Sequence, residues 1–127
     1  MSNLILVNQY LTSFYAGDFE SAESLVSDDF HFKGPFVEVN GRREFLSAAS
    51  RLRQIVRGHV LLKQWEDGAD ICSIYDVNLQ TPAGSGSVMM VEWNRVLNGK
   101  LVSGRLIFDT GAFRKIVPMP SSVQVSS

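Results

Sequence analysis

The chain has 127 residues, of which 45% are apolar and 20% are charged, a composition typical of one globular domain. Twelve Lys and Arg stand against thirteen Asp and Glu, which gives a net charge of −1. This balance argues against bulk binding of nucleic acid or anionic membranes, since both require a large positive excess. Cys72 is the single cysteine, which excludes an internal disulfide and a metal site built from several cysteines.

The sequence carries no recognisable targeting pattern. Its first residues lack a basic segment, and their apolar run, residues 4–7, is too short for a signal peptide or a membrane span. We therefore expect a cytoplasmic protein without a membrane anchor. Residues 118–127 are uncharged and rich in Pro and Ser, so we expect a single domain over residues 1–117 followed by a C-terminal extension.

The first half of the sequence predicts three helices. In the first helix, apolar residues recur at steps of three and four and therefore share one face: Leu4, Val7, Leu11 and Phe14. Ser2 or Asn3 can cap this helix, and Asp18 can cap a second, short one. After a short strand over residues 30–33, a third helix is predicted between Asn40 and Gly58, again with regularly spaced apolar positions: Phe45, Ala49, Leu52 and Val56.

The second half predicts four antiparallel strands. Their apolar runs cover residues 60–66, 71–79, 88–97 and 101–108. Asp67-Gly68 and Asn98-Gly99 are turn signals, whereas a looser loop is expected over residues 81–86. Helices followed by a meander of strands give an α+β class, with the helices on one face of an antiparallel sheet.

Two carboxylates interrupt the apolar pattern of the second and third of these strands. Residues of equal parity share a face of a strand, so Asp76 shares a face with Ile74, and Glu92 shares one with Met90. A turn centred within residues 82–86 can bring both faces together, which gives the apolar surface with a few polar groups that a ligand cavity requires. In the alternative, the face of Asp76 is exposed to solvent, and the core face of this strand consists of Ile71, Tyr75, Val77 and Leu79.

A series of short stretches between residues 10 and 109 is recognisable by its order and spacing: Tyr10-Leu11, Ala16-Gly17-Asp18, Ser27-Asp28-Asp29-Phe30, Gly34-Pro35, Asn40-Gly41-Arg42, Asn98-Gly99-Lys100-Leu101 and Ile107-Phe108-Asp109. The series resembles the nuclear transport factor 2-like superfamily and, within it, the SnoaL-like group. The resemblance implies a cone-shaped, curved antiparallel sheet, with three N-terminal helices closing over a concave pocket. It also implies a homodimer formed through the outer face of the sheet.

Members of this superfamily include polyketide cyclases, ketosteroid isomerases and limonene epoxide hydrolases, as well as domains without catalysis, so the fold does not decide the function. The oxyanion-donating tyrosine and the protonated acid of the isomerases match Tyr10 and Glu92, while the position of their base is Gly34 here. One acid of the epoxide hydrolases matches Asp76. The arginine and the second acid of those hydrolases fall on Ile74 and Leu106.

The resemblance thus implies a pocket with Asp76, Glu92 and Tyr10 as its catalytic groups, in which one carboxyl donates a proton while the other accepts one. The walls are expected to consist of Phe14, Phe32, Ile74, Met90, Leu106 and Phe108. Such acid–base chemistry requires neither a metal nor a cofactor. The expected function is isomerisation, cyclisation or hydrolysis of a small hydrophobic carbonyl compound, and the alternative is a dimeric domain that binds a ligand or a partner without catalysis.

If Asp76 and Glu92 face inward, the outer face of the sheet carries apolar residues of the opposite parity: Tyr75, Val77, Val91 and Trp93. No predicted helix remains to cover these residues. Exposed apolar surface of this kind usually marks an interface, so we expect a two-fold homodimer through this face.

Overall fold

The computed structural model of the chain describes residues 2–118, and the expected C-terminal extension lies, apart from Pro118, outside the described residues. In chain order the elements are α1 (Asn3–Tyr15), α2 (Phe19–Leu25), β1 (Val26–Lys33), β2 (Glu38–Asn40), α3 (Arg42–Ala49), β3 (Val56–Asp67), β4 (Asp70–Thr81), β5 (Gly84–Leu97), β6 (Lys100–Phe108) and α4 (Thr110–Ile116). Within residues 2–118, none of the helices has the length and apolar character needed to cross a membrane.

Local sequence signals set most of the helix ends. The Ser2 side chain accepts a hydrogen bond from the backbone N–H of Ile5 at the start of α1, and the Asp18 side chain accepts one from Ser21 at the start of α2. Asp109 caps α4 in the same way. The caps predicted for the first two helices are therefore confirmed.

The third helix is shorter than predicted. α3 ends at Ala49, a 3-10 turn follows over Ser50–Leu52, and the chain enters β3 at Val56 instead of continuing as a helix to Gly58. The β-branched side chain of Val56 favours the extended conformation, and in this conformation Val56 pairs with Leu79 of β4. Asn40, the predicted cap, is the last residue of β2 instead.

The six described strands form one sheet in the order β2-β1-β6-β5-β4-β3. All neighbours are antiparallel except β1 and β6, which run parallel. Register shifts interrupt the pairing of β1 with β6, of β3 with β4 and of β5 with β6, and such irregularities bend a sheet. The main core lies between this sheet and the helices, which confirms the α+β class with helices on one face of a curved sheet.

The turn between β4 and β5 decides which side chains face the helices. Thr81 pairs with Gly84 across a two-residue turn, so odd-numbered residues of β4 lie opposite even-numbered residues of β5. Along β4 the odd-numbered residues are buried and most even-numbered residues are half-exposed. The looser turn that was expected would pair even with even. One residue of difference in register moves every side chain of a strand to the opposite face.

The predicted assignment of residues to the inner and outer faces of the sheet is therefore wrong for β4 and right for β5. Four β4 residues are corrected: Ile74 and Asp76 lie on the outer face, whereas Tyr75 and Val77 point inward and are buried. On β5, Met90 and Glu92 face inward as expected, and Val91 and Trp93 face outward. The two carboxylates thus lie on opposite faces of the sheet.

Candidate active-site cavity

A cavity of about 370 Å³ lies between the concave face of the sheet and the helices. Its walls come from α1, α3, the β1–β2 loop, β4, β5, β6 and the C-terminal helix, and most of the lining side chains are apolar. Four lining residues carry polar side chains: Tyr10, Tyr15, Arg51 and Glu92. Apolar walls with a few convergent polar groups are typical of a small-molecule site.

The structure brings together most of the wall residues expected from the sequence. Five of the six line the cavity, namely Phe14, Phe32, Met90, Leu106 and Phe108. Ile74 does not, because it lies on the outer face of β4. Contact of these five side chains with a ligand stays a prediction.

Among residues 2–118, Glu92 is the one carboxyl in the cavity wall, and it is 2% exposed. One carboxyl oxygen accepts a hydrogen bond of 2.6 Å from the Tyr75 hydroxyl, and the other accepts one of 3.0 Å from the Asn94 side-chain amide. The Tyr15 hydroxyl lies 2.8 Å from that of Tyr75. A phenol has one proton to donate, so while Tyr75 donates to Glu92, Tyr15 donates to Tyr75.

Burial sets the protonation of this cluster. It raises the pKa of Glu92, and the hydrogen bonds from Tyr75 and Asn94 offset this only in part. Burial, followed by the nearby charge of Glu92, also raises the pKa of Tyr10 and of Tyr75. The phenols are therefore neutral hydrogen-bond donors, and Glu92 holds its proton to a higher pH than an exposed glutamate does.

Protonation of Glu92 permits the opposite direction of donation, from the carboxyl to Tyr75 and from Tyr75 to Tyr15. The proton of the Tyr15 hydroxyl is then free for another acceptor. Met90 Sδ lies 4.0 Å from this hydroxyl, and Tyr15 also borders the cavity.

Asn94 is fully buried, and its side-chain amide donates a hydrogen bond to Glu92. Its amide nitrogen also lies 3.4 Å from the Ser103 carbonyl oxygen, while its own carbonyl oxygen has no hydrogen-bond partner among residues 2–118. The adjacent Gly104 leaves room for this amide, since a Cβ there would lie 3.1 Å from its nitrogen and 3.0 Å from the Phe32 ring. A side chain at residue 104 would therefore crowd the Asn94 amide, which donates a hydrogen bond to Glu92.

Tyr10 lies in the cavity wall, as the sequence predicted, and is 2% exposed. Its hydroxyl has no side-chain or backbone partner within the described part of the chain. The charge of Glu92 acts on its pKa, so the two groups are close enough to interact. A catalytic role for Tyr10 stays a prediction.

Asp76 is not part of this site. It pairs with Val60 and Met89 on the outer face of the sheet, and it does not line the cavity. The expected pairing of Asp76 and Glu92 as base and acid is therefore wrong, because the two-residue turn between β4 and β5 separates them. The match of Asp76 to an acid of the epoxide hydrolases fails for the same reason.

The outer face of the sheet exposes large apolar side chains from three strands, β3, β5 and β6. Cross-strand neighbours align Trp65, Cys72 and Trp93 in one row. The most exposed apolar residues of this face are Val60, Trp65, Met89, Trp93 and Ile107. Of the residues predicted there, Val91 and Trp93 are on this face.

The order of elements, the concave cavity and the matched sequence segments point to one family. A family profile described as a SnoaL-like domain matches residues 7–104. The chain belongs to the SnoaL-like family. A search of curated protein sequences finds no significant match to this SnoaL-like protein.

Solved structures share the fold of this SnoaL-like protein at low sequence identity. An NTF2-like protein of unknown function from Burkholderia pseudomallei superposes with a TM-score of 0.83 at 18% identity, over 94% of this chain and 100% of that one. An LEH-like epoxide hydrolase of M. tuberculosis gives 0.77 at 19% identity, over 98% and 96%. TerC, co-crystallised with polyporic acid, gives 0.79 at 17% identity, over 92% and 98%.

Proposed function

We propose that this SnoaL-like protein binds a small, largely apolar molecule that carries a carbonyl or hydroxyl oxygen. The observation that carries the proposal is the cluster of Glu92, Tyr75 and Tyr15 at the wall of an otherwise apolar cavity. A ligand oxygen can pair with the Tyr15 hydroxyl, which borders the cavity, or with the Tyr10 hydroxyl, which has no hydrogen-bond partner among residues 2–118. The complex of TerC with polyporic acid is in keeping with an organic ligand in this fold.

Filling the cavity tests this proposal. Leu106→Trp adds bulk to the cavity wall, so we expect at least about tenfold weaker binding of 2-acetylnaphthalene, since a ligand pocket must bury most of its ligand. Ile107→Trp is the matched control, because the same residue is introduced next to it on the outer face, where Ile107 is 64% exposed. Isothermal titration calorimetry measures both. Equal binding by wild type and Leu106→Trp would overturn the cavity as the binding site.

A second candidate function is proton transfer on the bound molecule without a cofactor. It is favoured by the raised pKa of Glu92 together with the unpartnered hydroxyl of Tyr10. In this scheme the carboxylate of Glu92 takes a proton from the carbon next to a carbonyl, and the electron pair of that C–H bond moves toward the carbonyl oxygen. Tyr10 donates a hydrogen bond to this oxygen, and Glu92 returns the proton at another carbon.

The single acid favours isomerisation or cyclisation over hydrolysis. Epoxide hydrolysis of the related type uses an arginine and two acids, whereas Glu92 is the one carboxyl that lines the cavity among residues 2–118. A proton that is removed and returned by one carboxyl requires no second acid, which supports that reaction class as the proposal for this site.

We also propose that a second copy of the chain covers the outer face of the sheet. The support is the exposed apolar surface on β3, β5 and β6, which includes Trp93 at 49% and Ile107 at 64% exposure. Surface of this kind usually marks an interface, and a two-fold axis lets one surface serve both copies.

Disruption of the outer face is expected to give a monomer. Ile107→Glu places a charge within the apolar surface and should halve the mass measured by light scattering at micromolar concentration. Ile5→Glu, on the exposed side of α1, is the matched control and should leave the mass unchanged. A wild-type mass equal to that of one chain would contradict the proposed dimer.

A further inference from the structure

The cavity wall contains two charged residues, and they differ in depth. Glu92 is almost fully buried, whereas Arg51 is exposed and lies in the 3-10 turn that follows α3. Both belong to the cavity lining. The cavity therefore has an acid inside and a cation where it meets solvent.

Within residues 2–118, the ion pairs are Arg42 with Asp28 and His31 with Glu38, so Arg51 is engaged in neither. The guanidinium of Arg114 in α4 lies 5.1 Å from the centre of the Phe36 ring, but Arg114 does not line the cavity. Among residues 2–118, Arg51 is therefore the one cation in the cavity lining.

Glu92 and Arg51 have opposite effects on an ionised group of a ligand. An ionised group placed beside Glu92 would meet a buried acid and lose its hydration, whereas at Arg51 it would meet an opposite charge and keep part of its water. A guanidinium binds a carboxylate through charge-assisted hydrogen bonds, which are stronger than neutral ones. The two ends of the cavity therefore orient a molecule that has one anionic end.

We propose that the natural ligand is an amphipathic organic acid, with its carboxylate at Arg51 and a carbonyl or hydroxyl oxygen at the Glu92 cluster. This inference rests on the proposed ligand-binding function and adds the chemical class of the ligand. The apolar body of the molecule occupies the space between the two ends, against the aromatic side chains of the wall.

Pairs of probe ligands that share their shape and differ in charge show whether the cavity recognises the carboxylate. We would use 2-naphthyl ketones that carry a terminal carboxylate after two, four or six methylene groups, each with its uncharged primary amide. Affinities are measured by calorimetry for wild type, Arg51→Gln, Arg51→Lys and Arg43→Gln. Arg43 is exposed on α3 and does not line the cavity, so its substitution removes the same charge elsewhere.

For at least one chain length, wild type should bind the acid about twofold to fivefold more tightly than the amide, the range expected for an exposed ion pair. Arg51→Gln should remove this preference, Arg51→Lys should keep part of it, and Arg43→Gln should keep all of it. Equal affinity for acid and amide in wild type, or a preference that survives Arg51→Gln, would overturn the inference while leaving the proposed binding function intact. Failure of every ketone to bind, the neutral amides and 2-acetylnaphthalene included, would overturn both.

Discussion

Glu92→Gln is expected to slow proton transfer on a bound ketone by about 10²–10⁴-fold, the usual contribution of a general base. The amide keeps the shape of the side chain and can still accept the hydrogen bond from Tyr75, but it cannot take up a proton. The measurement is the rate at which the methyl protons of 2-acetylnaphthalene exchange for deuterium, followed by NMR in D₂O at saturating ligand. Circular dichroism checks that the fold is retained.

Asp76→Asn is the matched control, because it makes the same chemical change on the opposite face of the sheet. It should leave the exchange rate unchanged. Loss of exchange in Asp76→Asn together with full activity in Glu92→Gln would contradict the assignment of the site. Exchange in wild type that equals the rate in buffer would contradict proton transfer on this ketone and leave ligand binding as the function.

The surroundings of Glu92 should accept the amide. The introduced NH₂ group would face the NH₂ group of Asn94, and two donors do not bond. A half-turn of the Asn94 amide presents its carbonyl oxygen, which has no partner in the described structure, to the new donor. This rotation of the Asn94 amide breaks the contact of 3.4 Å between its nitrogen and the Ser103 carbonyl oxygen.

Most of the fold could be predicted from the sequence, because local interactions determine its elements. Caps at Ser2 and Asp18 need a side chain and a backbone only three residues apart. The Asn98-Gly99 turn has positive φ at both residues, 52° and 75°, which is the geometry this pair favours. These features are decided within a few residues and do not depend on distant contacts.

The candidate site depends on the pairing register of β4 and β5, which local sequence signals do not determine. The two-residue turn at Pro82-Ala83 makes the strands longer than predicted and shifts their relative parity by one. The apolar alternation of β4, with Tyr75 and Val77 on its core side, indicated the observed face. Matching Asp76 to a family residue favoured the other face and was wrong.

The hydrogen-bonded partners of Glu92 were missed for the same reason. Tyr75 was placed on the outer face, so its contact with Glu92 could not be foreseen, and Tyr15 joins the cluster only through Tyr75. Asn94 did carry a signal, because it has the parity of Glu92 on the same strand. Recognition of a two-residue turn would have been enough to place Tyr75 beside Glu92 and Asn94, but not Tyr15, whose position depends on the packing of α1.

The free energy of unfolding is expected to fall as the pH rises from about 4.5, the ordinary pKa of a glutamate, through the raised pKa of Glu92. In this window the unfolded chain has released the proton and the native protein still holds it, so the native state binds more protons and loses stability with rising pH. Each pKa unit of difference between the two states corresponds to about 1.4 kcal/mol. The stabilisation is complete below the unfolded pKa and is lost above the folded one.

Urea denaturation of wild type and Glu92→Gln between pH 4 and pH 9 measures this effect. The other ionisable groups are present in both proteins and cancel in the difference. The difference curve should decline through the window and become flat above it, because the amide carries no proton to lose. A difference that is constant over the whole range, or that grows in favour of wild type as the pH rises, would show that Glu92 titrates in the native protein as it does in the unfolded chain, or more readily.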